Sequence, residues 1–395
     1  MKIIITVHTY WPHNNGVQFV TQYLAEGLVK KGHEVLVITN LKQQENLSEN
    51  EAINGVNVRR VKAYTKHTIH YGDKEKYVQE ILRLSSRYDC MINVCTQCAL
   101  TDWILPYLKQ IKIPKILYLH SIWDFKYSKE NFKDFKSIAG KIWANNRWKI
   151  YYNENASNFR EYDIVTQLHK MDYTNKYFQK KYGIESKVIE NAADDVFFEE
   201  KDKKIDIKLP KNYIINVSNY MERKNQLKAI ELFYKLNVSE EWELILIGSD
   251  KNSYYNLLKR KLKEYDVKYN RNRKIQLLHN ISRELIPYYV KNAKIYLMTS
   301  KWEAFPISII ESMAAKVPFV SSDVGIVKYL PGGVSCSTED EYIYWLEQFV
   351  VDEKKREGYG KMGFQEASEK YKIEKKVEEL EKIILEVKEK YEKEI

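Results

Sequence analysis

The feature that most constrains this chain is an alternation. Short unbroken apolar runs take turns with longer stretches in which apolar residues recur every three or four positions. Lys2 to Val7 (KIIITV) has the continuous apolar character of a parallel strand covered on both faces. Val17 to Lys31 then carries Phe19, Val20, Tyr23, Leu24 and Leu28 at helical spacing, Gly32 stops that helix, and Glu34 to Thr39 supplies a second strand. This βαβ opening continues with a strand at Met91 to Val94, a helix around Leu100 to Lys109 that Pro106 bends, and a strand at Ile116 to His120. Parallel strands joined by helical crossovers predict a doubly wound α/β unit.

The pattern restarts further on. Glu199 to Lys211 (EEKDKKIDIKLPK) is charge-rich without apolar periodicity and reads as a linker. Beyond it, Tyr213 to Val217, Trp242 to Ile247, Ile275 to Leu278, Ile295 to Thr299 and Phe319 to Ser321 read as strands. Helices are expected at Gln226 to Leu236 and at Ser282 to Asn292, the latter with Ser282 as N-cap. Near the end, Val377, Leu380, Ile383, Ile384 and Val387 form the apolar stripe of an amphipathic helix among alternating Lys and Glu. A chain of 395 residues exceeds what one core usually supports, so two domains are expected, at 1–198 and 199–370, followed by a helix at 371–395. Two doubly wound units in series leave a cleft at the carboxyl ends of their strands, where such folds take ligands.

Charge and cysteines narrow the function classes. A net charge of +10 favours an acidic partner, yet the sequence has no zinc-finger spacing, basic zipper or aromatic RNP-type strand, so no nucleic acid is expected. The opening MKIIITVHTYW is too short an apolar run for a signal peptide or a membrane span, and four cysteines make no disulfide framework, so a cytoplasmic location is expected. Cys95 and Cys98 form a C-x-x-C, but further ligands at matching spacing do not follow, and no metal is expected. Lys141 to Tyr152 (KIWANNRWKIYY) interleaves Trp143, Trp148, Tyr151 and Tyr152 with basic residues. Such a helix suits an anionic membrane surface, hence a peripheral position at the inner face of the cell membrane; packing on its aromatic side is the other reading.

The sharpest local feature is Ser300 to Ala315, SKWEAFPISIIESMAA, directly after a strand. Pro306 is tolerated in a helix's first turn, and Ile309, Ile310, Met313 and Ala314 make one apolar face, so a helix begins near Pro306. Glu303 then lies in the loop and Glu311 in the second turn, one on each side of a helix N-terminus whose free N–H groups in the stretch Phe305 to Ser308, those of Phe305, Ile307 and Ser308 with Pro306 contributing none, suit a phosphate. Carboxylates there can accept hydrogen bonds from sugar or ribose hydroxyls. A helix-dipole glutamate beside an ordinary surface glutamate is the plainer reading of the spacing. Earlier in the chain, Gly16 in the loop His13-Asn14-Asn15-Gly16-Val17 lets backbone approach a ligand, or merely turns the chain.

Glu303 and Glu311, with Phe305 and Pro306 between them, resemble the E-x7-E signature of retaining glycosyltransferases of the GT-B fold, family four. The resemblance covers nearly the whole chain: MKIIITVHTYWPHNNGVQFVTQYLAEGLVKKGHEVLVIT is similar to the family's opening, ENAADDVFF to its N-G-V-D segment, and EKYKIEKKVEELEKI to its closing helices. It implies two Rossmann-like domains, an acceptor-binding one first and a nucleotide-sugar-binding one second, with a cleft between them and a C-terminal helix returning to the first. It further implies that Glu303 contacts the transferred sugar, Glu311 the donor ribose and the backbone of Phe305 to Ser308 the diphosphate. His120 matches a histidine lining the donor-sugar pocket, and Lys224 the expected phosphate-binding lysine. The usual arginine position is Asn219 here, leaving Arg223 as the candidate second cation or as a plain surface residue. Asn280, in the loop His279-Asn280-Ile281, would meet the base through backbone, and Asn15 with Trp11 would lie on the acceptor side.

The activity so implied is retaining, metal-independent transfer of a hexose or N-acetylhexosamine from a UDP-sugar to a hydroxyl of a surface glycan or lipid-linked acceptor. No cofactor is called for. A GT-B isomerase or phosphorylase would share these residues. A two-lobed sugar-binding protein would be expected to carry an export signal, and a basic nucleic-acid binder would ignore nucleotide sugars.

Overall fold

The computed structural model describes all residues except 14, 42–45, 67, 128, 133, 185, 201–204, 206 and 395, and not the side chains of 129, 130, 175 and 394. Part of the expected linker (201–204 and 206) and Asn14 of the first loop therefore lie outside the described residues. The chain forms two compact units, 1–190 together with 376–395, and 191–375.

In the first unit the strands are β1 (Lys2–Val7), β2 (Glu34–Leu41), β3 (Asn50–Ile53), β4 (Val56–Lys66), β5 (Ile69–Gly72), β6 (Cys90–Val94), β7 (Lys115–Tyr118), β8 (Ile164–Gln167) and β9 (Ser186–Val188). Their order is β3-β4-β2-β1-β6-β7-β8-β9, with β5 paired to β4. Pairing is parallel except where β3 and β5 run antiparallel to β4. Ile3, Ile4, Ile5 and Val7 are all buried, as an unbroken apolar run demands. The first helix, Gly16–Lys30, is capped by Asn15, whose side chain accepts from the Gln18 N–H at 3.0 Å and donates to Thr9 Oγ1 at 2.9 Å. Around Pro106 the expected single helix divides into an α-helix, Ala99–Ile104, and a 3-10 helix, Leu105–Gln110, because proline offers no N–H to the α ladder.

The closing helix, Ile373–Glu394, buries Val377, Leu380, Ile383, Ile384 and Val387, and its residues from Lys376 onward belong to the first unit. Val377 lies where a Cβ on Gly27 would stand, 2.2 Å away, so that helix–helix approach needs glycine. Glu381 accepts from His33 at 2.8 Å and pairs with Lys31 at 3.0 Å, and Lys388 reaches Asp89 at 2.8 Å.

The second unit contains β10 (Asn212–Val217), β11 (Trp242–Gly248), β12 (Ile275–His279), β13 (Ile295–Met298), β14 (Phe319–Ser322) and β15 (Gly333–Cys336), all parallel, in the order β12-β11-β10-β13-β14-β15. This is the 3-2-1-4-5-6 order of dinucleotide-binding sheets, and the winding reverses between β10 and β13. The segment after Glu190 belongs to this unit: Ala193 bridges Lys372, its N–H donating to the Tyr371 carbonyl at 2.9 Å. The Ser282 cap is a correction. Its side chain makes no capping bond; Arg283–Leu285 is a 3-10 turn, and the α-helix Ile286–Asn292 starts with Pro287 in its first turn. Proline's fixed φ opens that helix without a side-chain cap.

Candidate functional site

The reversal between β10 and β13 decides which loops meet. The loop after β10 carries Asn219, Arg223 and Lys224; the loop after β13 carries Glu303. Seventy-nine positions apart, Lys224 Nζ donates to Glu303 Oε1 at 2.5 Å. Backbone and side chain join the same two loops: the Lys301 N–H donates to the Arg223 carbonyl at 2.8 Å and Thr299 Oγ1 to the Asn225 carbonyl at 2.9 Å. Buried Gln226 holds the first loop from beneath, its Nε2 donating to Ser218 Oγ and to the Asn219 carbonyl, both at 2.9 Å. Arg223 and Asn219 are exposed. The Arg223 guanidinium lies over the Trp302 ring at 5.4 Å and donates to its carbonyl at 3.4 Å, so of the three candidates Lys224 is the one that meets Glu303.

Glu303 is 9% exposed, and its loop is held on three sides. Ser322 Oγ donates to the Ser300 carbonyl at 2.6 Å, the Ile326 N–H to Ala304 at 3.2 Å, and buried Asn191 Nδ2 to Phe305 at 2.8 Å. Gly325 lies against the same loop with φ +55. Pro306 then stands at the N-cap of the helix Ile307–Ala314 and gives it no side-chain cap. Ser308 lies in the first turn, and the buried Tyr296 hydroxyl donates to the Val217 carbonyl at 3.0 Å; burial raises that phenol's pKa above its ordinary range.

Glu311, 2% exposed, is ion-paired to Arg283. Arg283 follows β12 and lies 5.7 Å above the Phe197 ring. Burial works against its charge, but Glu311, with Asp194 behind, carries its pKa above the usual range. Sequence reasoning missed Arg283. A signal existed: Glu311 is flanked by buried Ile309, Ile310, Met313 and Ala314, and a carboxylate on an apolar helix face requires a cation. Asn280, at φ +53, is exposed, and its N–H donates to the Ser249 carbonyl at 2.7 Å. The second unit thus brings together Lys224 with Glu303 and Glu311 with Arg283, around one helix N-terminus at the carboxyl ends of parallel strands.

Residues 197–331 match the family profile described as glycosyl transferases group 1, and residues 14–196 that of glycosyltransferase family 4. The chain is a group 1 glycosyltransferase. An uncharacterized glycosyltransferase of Methanocaldococcus jannaschii is 23% identical over 394 residues, covering 91% of this chain and 94% of that one. Among solved structures, sucrose-phosphate synthase from Thermosynechococcus elongatus aligns with a TM-score of 0.73 at 15% identity over 98% of both chains. Anabaena HepE in complex with UDP aligns at 0.70, with 14% identity over 98% of this chain and 100% of that one. The pneumococcal O-GlcNAc transferase GtfA, in complex with UDP and GlcNAc, aligns at 0.66, with 12% identity over 98% and 99%. The fold is GT-B.

In the glycosyltransferase's first unit, His120 sits two residues beyond β7, not within it as expected, because the strand ends at Tyr118. Its ring is tilted against Tyr118 at 5.4 Å, its Nε2 has no hydrogen-bond partner among the described residues, and burial pulls its pKa down to about 4, so it is neutral near pH 7. Asn15 is extended (φ −146) and acts as helix cap, which accounts for asparagine where the family often has glycine; Gly16 is the first helical residue. Trp11 is exposed, its carbonyl accepting from buried Arg60 at 2.7 Å. Cys95 and Cys98 are free thiols that burial pushes up to about 11 and about 12. Among the described residues, no group of three His, Cys, Asp or Glu could hold a metal ion.

Proposed function

We propose that this glycosyltransferase moves a hexose or N-acetylhexosamine, with retention, from a UDP-sugar to a hydroxyl of a surface glycan or its lipid-linked precursor. The observation that carries the reading is the Lys224–Glu303 pair beside the N-terminus of the helix Ile307–Ala314, at the reversal of a 3-2-1-4-5-6 sheet. In this reading the donor diphosphate takes Lys224 from Glu303 and rests on the backbone from Phe305 to Ser308, where that helix begins. Lysine and helix dipole then offset the negative charge that grows on the departing nucleotide, without a metal. Glu303, released, accepts from sugar hydroxyls, and Glu311, held by Arg283, accepts from the ribose. Arg223 and Asn219 flank the phosphates, and Asn280 meets the base through backbone. In the acceptor domain, neutral His120 lines the sugar pocket, while Gly16, Asn15 and Trp11 border phosphate and acceptor. The leaving phosphate serves as the base for the incoming hydroxyl on the same face, which gives retention. The UDP complexes of HepE and GtfA support the choice of base.

The test is hydrolysis and transfer with UDP, GDP and ADP sugars, with the product anomer read by NMR. Turnover of a UDP-sugar with retained configuration, lost in Glu303→Ala, is expected. No turnover with any donor, or undiminished activity in Glu303→Ala, refutes the reading.

A further inference from the structure

The helix Phe135–Glu154 is apolar on two sides. Asn145, Trp148 and Tyr152 face inward and are buried, whereas Phe135 is 86% exposed, Trp143 59% and Ile150 54%, with Ile142 also exposed. Phe135, Ala139, Ile142, Trp143 and Ile150 fall at helical spacing, with Asn146 the one polar residue among them, so these side chains share one outward stripe. A helix that carries a second apolar stripe opposite its buried one has that stripe to place against another apolar phase. Beside it stands the β4–β5 hairpin, with Ile69 exposed and Tyr64 stacked on Tyr71 at 5.2 Å, both exposed. The two elements are tied: Arg147 Nη2 donates to the Thr68 carbonyl at 3.0 Å, and Asp102 accepts from Tyr151 at 2.6 Å and lies 2.8 Å from His70 Nε2.

Charge selects what covers this face. Residues 54–72 and 135–153 hold eight Lys or Arg and no Asp or Glu, so they account for most of the chain's net +10. Arg59 and Arg60 are engaged by Glu80 and Glu51, but among the described residues Lys66, Lys136 and Lys149 have no carboxylate partner. Asp73, Asp134 and Glu154 come only where the two segments end. Isoleucine and phenylalanine in the open argue against nucleic acid, and a cationic face on both partners argues against a second copy. A surface that presents phosphate charge outside and hydrocarbon beneath accepts both features, with Trp143, Tyr64 and Tyr71 suited to the boundary.

We propose that this basic, aromatic face seats the protein on a bilayer rich in anionic lipid. The inference deepens the reading of a lipid-linked acceptor and corrects the residues that sequence suggested: Trp148 and Tyr152 pack inward, and Phe135, Ile142, Trp143 and Ile150 face the membrane. No helix among the described residues is long and apolar enough to cross one, so the contact is with the surface.

The test is co-sedimentation of the full chain with phosphatidylcholine vesicles, with and without phosphatidylglycerol, at low and high salt. Binding is expected with the anionic vesicles and weakens with salt. Lys136→Glu with Lys149→Glu should lower the partition at least about tenfold, since each charge near such a surface is worth roughly fivefold; Phe135→Ser with Trp143→Ser should lower it at least about tenfold as well, since burying one such side chain is worth about 1.5–3 kcal/mol. Donor hydrolysis in solution should stay at the parent rate in both variants, so failure of the membrane contact and failure of the proposed activity are read separately. Absence of binding to anionic vesicles, undiminished binding in both variants, tighter binding to duplex DNA, or a dimer that Trp143→Ser dissociates overturns the proposal.

Discussion

Gly325 touches no proposed ligand, yet replacing it with alanine should disable the site. Its φ of +55 lies in the left-handed region, which costs a residue with a side chain about 1 kcal/mol. The added Cβ would stand 2.1 Å from the Ala304 carbonyl oxygen and 2.6 Å from that of Glu303. Real Cβ contacts stay beyond 3.0 Å, so the loop bearing Glu303 must retreat by about 1 Å. A displacement of that size at a reacting centre costs on the order of a hundredfold in rate. Gly325→Ala should therefore lower UDP-sugar hydrolysis about a hundredfold, while the melting temperature falls by only a few degrees, at about 2–4 °C per kcal/mol for a unit of this size. Gly332→Ala is the control: it is also left-handed (φ +92) and crowds the Gly363 Cα at 2.4 Å, away from Glu303, and should lose stability without loss of rate. Because Gly325 acts through Glu303, Gly325→Ala in a Glu303→Ala background should add little. A folded Gly325→Ala enzyme within about threefold of the parent, or losses that simply multiply in the double variant, would refute the reasoning.

Lys224→Gln should reduce turnover about a hundredfold or more, by removing the cation nearest the proposed leaving group, while exposed Arg223→Gln costs less than about tenfold; steady-state rates with saturating donor decide, and equal losses contradict the assignment. Glu311→Gln and Arg283→Gln should each destabilise by about 1–3 kcal/mol in urea unfolding, because each leaves the other's charge or hydrogen bonds unmet, and the double variant should recover part of that loss; strict additivity would remove the coupling. His120 titrates at about 4 in the folded protein against 6.5 for the free group, so between those values the unfolded chain binds more protons. Its contribution is complete above pH 6.5 and is lost as pH falls toward 4, up to about 3 kcal/mol in all. His120→Gln should flatten that part of the stability–pH curve, and an unchanged slope would show that other groups set it.

Much of the architecture is legible in local sequence, because a strand or helix declares itself within a few residues. KIIITV could only be a strand covered on both faces, and the stripe from Val377 to Val387 only a helix with one buried side. Pro306 with the apolar set behind it placed Glu303 in a loop and Glu311 in a second turn, as found. Ser282 misled because a serine before an apolar run looks like a cap until the proline three positions past Glu284 is seen to start the helix instead. The basic-aromatic helix was readable as amphipathic, but its composition is apolar on both sides, so which tryptophan faces out depended on what packs beneath it.

The sequence by itself determined the alternating α/β pattern, the helix start behind Glu303 and the family, since these rest on interactions between residues a few positions apart or on motifs read in line. The tertiary structure alone decided that Lys224 meets Glu303 across 79 positions, that Arg283 neutralises Glu311, and that Gly325 supports the loop between them. Those pairings follow from strand order, and parallel strands are ordered by long crossovers whose ends carry no mark in the sequence of which loop will lie beside which.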